Sequence, residues 1–155
     1  MSVDQQKTRL VQKSIVQHLI GTSLSDWTTP TNWVQVGYLY DNPSDPPAVS
    51  VPMPERVTRS FELGNVNRVG TYLTEIDVRA ASQTQLTDLM DSIAENLDNM
   101  RIINFNTAEP HEGGYDAVAQ TVARGYINDA ISTKVIDPQE NEGRVSFQLR
   151  ESKPF

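Results

Sequence analysis

The apolar positions of this chain recur first at helical spacing, then at alternate positions, then at helical spacing again. Within residues 3–20, Val11, Ile15 and Leu19 follow at i, i+4 and i+8, and Val16 and Ile20 widen the stripe, so a first helix is predicted with Gly21 as its stop. His18 stands beside that stripe and reads as a helix-edge histidine with a local hydrogen bond. Trp33 then opens a short strand, "WVQVGYLY", in which Val34, Val36, Tyr38 and Tyr40 alternate with the rest. Residues 41–54 hold five of the nine prolines and form a rigid connector around a short edge strand, "AVSV".

The strongest alternation lies in residues 55–80. "ERVTRSFEL" places Val57, Arg59, Phe61 and Leu63 on one face, and "GNVN" turns the chain into "RVGTYLTEIDVRA". There Tyr72, Thr74, Ile76, Val78 and Ala80 share one face, and Thr71, Glu75, Asp77 and Arg79 the other. A long hairpin with one apolar and one charged face follows. Ser82 and Gln85 then fit a capping box, Ser-x-x-Gln, and Leu86, Leu89, Met90, Ile93, Leu97 and Met100 continue as a buried helical stripe. "RIINF" reads as a strand, 106–120 as a flexible loop, and "VARGYINDAISTKVI" with "GRVSFQLRE" as a closing antiparallel pair joined through "DPQENEG".

With 155 residues and no long linker, the chain is read as one domain, 1–155. Its net charge of -7, with only Lys134 and Lys153 beyond Lys13, argues against a general nucleic-acid binder, which needs clustered cations. The absence of cysteine excludes disulfides, thiolate metal sites and cysteine nucleophiles. No signal-like segment and no apolar run of membrane-spanning length stand in the sequence, so synthesis and folding in the cytoplasm, without a membrane, are expected.

Two clusters invite a chemical reading. Asp88, Asp91, Glu95 and Asp98 are spaced 3, 4 and 3 apart, which puts them on one helix face opposite the apolar stripe. Acid–base catalysis needs carboxylates in an apolar cleft, so these read as an exposed acidic face, able to line a passage for DNA or meet a basic partner. In "EPHEGGYD", His111 lies between Glu109 and Glu112. Zinc wants several convergent ligands, however, and the other histidine, His18, is far away in sequence. A small ligand-binding domain or enzyme using the His111 loop is the distant alternative. Gly113 and Gly114 lack the length and lysine of a phosphate loop. No catalytic residue, metal or cofactor is expected. Trp27 reads either as core or as an anchor in a subunit interface, while Trp33 reads as core.

The helix "QKTRLVQKSIVQHLI", the hairpin "ERVTRSFELGNVNRVGTYLTEIDVRA", the helix "SQTQLTDLMDSIAENL" directly after it and the terminal "GRVSFQLRE" form an order that resembles the tail terminator (tail completion) proteins of long-tailed bacteriophages. Related neck and tail-to-head joining proteins share the layout. The resemblance implies an α+β subunit, two main helices packed on a mostly antiparallel sheet with a long β-hairpin. It implies assembly as a hexameric ring on the tail tube of a virion, ending tail polymerisation and meeting the tail tube protein and a head-completion or neck protein. DNA passes through such a lumen without specific binding. Within that expectation Trp27, Arg59, Glu62, Arg68 and Arg79 are the candidate interface residues, and Asp88, Asp91, Glu95 and Asp98 the acidic lumen or exposed face.

Overall fold

A computed structural model describes residues 7–24, 35–37, 47–60, 68–104, 120–153 and 155; at 22–23, 35–37, 59–60, 68 and 120 it describes the backbone alone. Helix α1 (Lys7–His18) continues into a π-helical turn, Leu19–Ser23, then β1 (Gln35–Gly37), β2 (Ala48–Ser50), β3 (Glu55–Ser60) and β4 (Arg68–Arg79). Helix α2 (Gln83–Glu95), β5 (Met100–Asn104), β6 (Gln120–Ile127), β7 (Ser132–Asp137) and β8 (Glu142–Glu151) complete it. This is the expected α+β architecture. Eight strands form one sheet in the order β1-β2-β4-β8-β6-β5, with β3 on β4 and β7 on β8. Its pairings are antiparallel except that of β1 with β2.

The predicted alternation of β4 sets the two sides of the molecule. Tyr72, Thr74, Ile76 and Val78 are buried and oppose Leu149, Phe147, Val145 and Gly143 of β8. One buried cluster joins this face to Val11, Ile15 and Val16 of α1 and to Leu86, Leu89, Met90 and Ile93 of α2. Each of these large side chains contributes roughly 1.5–3 kcal/mol when fully buried. Helix α2 lies close because Gly143 has no side chain: a Cβ there would stand 2.5 Å from Met90 Sδ and 3.1 Å from Leu86 Cδ1. Ser82 caps α2 by accepting the Gln85 N–H at 3.2 Å, and Gln85 Oε1 accepts the N–H of Ala81 at 2.8 Å, one residue earlier than a strict capping box.

Polar residues of α1 hold it to the sheet. Gln12 Nε2 donates to the Val51 carbonyl at 2.9 Å. Ser14 Oγ donates back to the Leu10 carbonyl at 2.6 Å and accepts the Ile103 N–H at 2.9 Å. The ladder between β5 and β6 shifts register between Ile102 and Ile103, so the hydroxyl partners a backbone donor at an irregularity.

Several expectations change. Gly21 lies inside the π-helical turn, closed by Leu24 N–H to Leu19 O at 2.7 Å, and does not stop the helix. "AVSV" is not an edge: β2 sits between β1 and β4 and all three residues are buried. Its register with β4 continues into that of β3 after a shift of one residue, so β2 and β3 follow one line interrupted at Pro52 and Pro54, which have no N–H to give. Leu97 and Met100 are buried but lie beyond α2, which ends at Glu95. The segment expected to form one partner of β8 is two strands, β6 and β7, parted at 128–131. Trp33, Val34, Tyr38 and Tyr40 lie outside the described residues, as do 106–119 of the expected loop, whose last residue, Gln120, begins β6.

Candidate functional site

Beneath the helices, at the end of β8, stands a polar cluster that composition and spacing did not reveal. Glu151 is 1% exposed. It follows Val145, Phe147 and Leu149 on the core face of β8, so the strand's alternation delivers a carboxylate into the interior. Its Oε1 accepts the Gly70 N–H at 2.6 Å and its Oε2 accepts the Tyr72 hydroxyl at 3.2 Å. Tyr72 lies across Gly70, where a Cβ would meet the phenol oxygen at 3.1 Å. Arg56, directly across from Tyr72 in the ladder, and Lys7 supply positive charge; Lys7 Nζ also stands 5.3 Å above the Phe155 ring. Burial raises the Glu151 pKa above its ordinary value, against the hydrogen bonds from Gly70 and Tyr72 and the charges of Lys7 and Arg56. Burial, then the Glu151 charge, also raises the Tyr72 pKa. The cluster ties the hairpin to the end of β8, with its carboxylate and phenol both enclosed in the core.

The opposite face of the sheet is polar and carries no helix among the described residues. Arg144 bonds Asp77 across the β4–β8 ladder at 2.9 Å and reaches Glu75 at 3.6 Å. Arg79 pairs with Glu140 at 3.1 Å and Glu142 at 3.9 Å, so this expected interface residue is engaged within the subunit. Such half-exposed pairs contribute about 0–1 kcal/mol each. A groove of about 620 Å³ runs past Met53, Glu55, Leu73 and Gln148, and a second of about 390 Å³ continues past Val57, Thr71 and Arg150, sharing Leu73 and Gln148. Met53 is 53% exposed and Val57 40%.

The other expected residues fall as follows. Arg59 and Arg68 sit on paired strands, opposite Val69 and Ser60, and only their backbones are described. Trp27 and Glu62 lie outside the described residues, and so does the His111 segment with Glu109, Glu112 and Asp116. Asp88, Asp91 and Glu95 are exposed on α2. Asp98 does not share their helix: α2 ends at Glu95, with Asn96 as its cap, and Asp98 Oδ1 accepts the N–H of Asn99 at 3.0 Å and of Ile127 at 2.9 Å, pinning the turn into β5 against β6. His18 bonds the Asn96 carbonyl, a contact between the ends of the two helices and not a local one. Burial lowers its pKa, against the pull of that carbonyl. No group of three or more His, Asp or Glu side chains placed to hold a metal occurs among the described residues, and no described helix is long and apolar enough to cross a membrane.

No protein-family model matches the sequence, and no curated protein does either. The fold is shared. A chain in the structure described as "Virion of native gene transfer agent (GTA) particle" superposes with a TM-score of 0.57 at 10% identity, over 94% of this chain and 95% of that one. The likeness spans nearly the whole of both chains, so it concerns the full order of helices and strands, not one shared hairpin.

Proposed function

We propose that this chain is a structural subunit of a phage-like virion, acting through interfaces alone: a hexameric ring that caps the tail tube, ends its polymerisation and offers a surface to the head or neck. The observation that carries this reading is the end-to-end fold shared with a chain of a gene transfer agent virion. The molecule's own surfaces agree with it. A sheet face that carries no helix among the described residues, with Met53 and Val57 exposed on it, suits contact with other subunits. The exposed Asp88, Asp91 and Glu95 suit a lumen through which DNA slides without adhering, in a chain of net charge -7. Trp27, Arg59, Glu62, Arg68 and Arg79 are the candidates for subunit contacts, Arg79 together with the Glu140 and Glu142 it pairs with.

Its partners in this reading are further copies of itself, the tail tube protein and a head-completion or neck protein. The same shared fold also accommodates a neck or tail-to-head joining protein. Mixing the purified chain with tail tube protein separates the two: a terminator binds tube ends and limits their length, whereas a joining protein leaves length unchanged and binds only the head side.

A further inference from the structure

Four strands run in the order β3-β4-β8-β7, each antiparallel to the next, and among the described residues neither β3 nor β7 has a partner on its outer side. We infer that the outer edge of β7 in one subunit pairs antiparallel with the outer edge of β3 in a second copy, extending the sheet from subunit to subunit. This deepens the ring reading above and rests on it.

The hydrogen-bond phase supports the match. Gly70 gives its N–H to Glu151 on the β8 side, so its partner Thr58 directs its own N–H and C=O away from β4, to the outside. On β8, Gln148 accepts the Asn128 N–H, which sets Ser146 and Arg144 facing β7 and leaves Thr133, opposite Val145, directed outward. Among the described residues each edge thus turns ladder groups outward with no strand beside them, and such groups attract a further strand. Four is an even number, so a neighbour related by rotation presents its β3 antiparallel to β7. The two edges differ, so the contact is heterologous, the type that generates a ring when the rotation closes.

Charge complementarity selects a second copy as the occupant. On the outer face Glu55 stands one diagonal step from Glu75, and Lys134 stands directly opposite Arg144. Glu75 and Arg144 pair with each other within the subunit, while Glu55 on one edge and Lys134 on the other carry opposite charges that attract across the contact. Val57, 40% exposed beside Glu55, and Ile136, 43% exposed beside Lys134, add apolar surface to the same seam.

The test uses the full chain and its oligomer distribution by native mass spectrometry and sedimentation, with and without tail tube protein, and circular dichroism to confirm folding. Glu55→Lys and Lys134→Glu should each raise the midpoint concentration of assembly roughly tenfold, and the double variant should recover most of it. Thr58→Pro, which removes an outward N–H and spares those given to β4, should fold and yet fail to assemble. A wild-type ring with unaffected variants, a double variant no better than the worse single one, or an assembled Thr58→Pro each overturns the edge pairing and leaves the ring reading intact. A wild-type chain that forms no ring under either condition overturns both.

Discussion

At the scale of single residues, Glu151 shows how far a polar side chain can be from any exposed chemistry and still decide the local energetics. Its carboxylate makes two hydrogen bonds but is fully enclosed, and burial holds its pKa above the ordinary 4.5. The folded state then binds this proton more tightly than the unfolded chain. The group's contribution to stability is complete below about pH 4.5 and is lost as pH rises through the raised folded value. Glu151→Gln keeps an acceptor for Gly70 and removes the charge. Its melting temperature should exceed that of the wild type at neutral pH, with the difference closing as pH falls through the raised value towards 4.5; thermal melts across pH measure this. Glu151→Ala strands the Gly70 donor and should cost about 1–3 kcal/mol in denaturant titrations. Such a role was not legible in the sequence, where Glu151 reads only as the polar end of "GRVSFQLRE". The alternation of Val145, Phe147 and Leu149 did imply an inward-facing residue 151, and that is the signal that could have found it. Ser14 was hidden in the same way, since nothing in the sequence marks the irregularity at Ile103 that it satisfies.

Local rules read the secondary elements well where backbone chemistry decides and poorly where tertiary contact does. The capping box at Ser82, the inward face of β4 and the buried face of α2 follow from spacing alone. Ser82→Ala should therefore cost about 1 kcal/mol of stability, read by urea unfolding. The apolar stripe ran past the true end of α2 because Leu97 and Met100 stay buried after the chain has left the helix, and Asp98 went with them. A residue at helical spacing says that it is inside, not that it is helical. Likewise the prolines around "AVSV" suggested an edge, whereas Pro52 and Pro54 interrupt the line of strand that joins β2 to β3. Gly143 carries the packing between α2 and β8. Gly143→Ala should destabilise by about 1–3 kcal/mol through overpacking against Met90 and the Lys134 carbonyl. Combining it with Met90→Ala should give less than the sum of the two single losses, since the removed side chain is the one the new methyl meets.

For the whole molecule, the order of helices, hairpin and closing strands was legible and led to the α+β architecture, because each long element has its own period. The functional surfaces were less so. An interface is made of side chains that leave one subunit incomplete, and a single sequence does not say which polar face a neighbour covers. Arg79 illustrates the difficulty: it looked outward in the pattern and is bound to Glu140 and Glu142 of its own subunit. We propose that this chain works as a ring built on the end of a tail tube. Electron microscopy of the purified chain at tens of micromolar, alone and mixed with tail tubes, tests it most directly. Six-membered rings, seated on one tube end and halting further growth, are the expected result. A chain that stays monomeric under both conditions, with tubes whose ends remain bare and continue to lengthen, would contradict it.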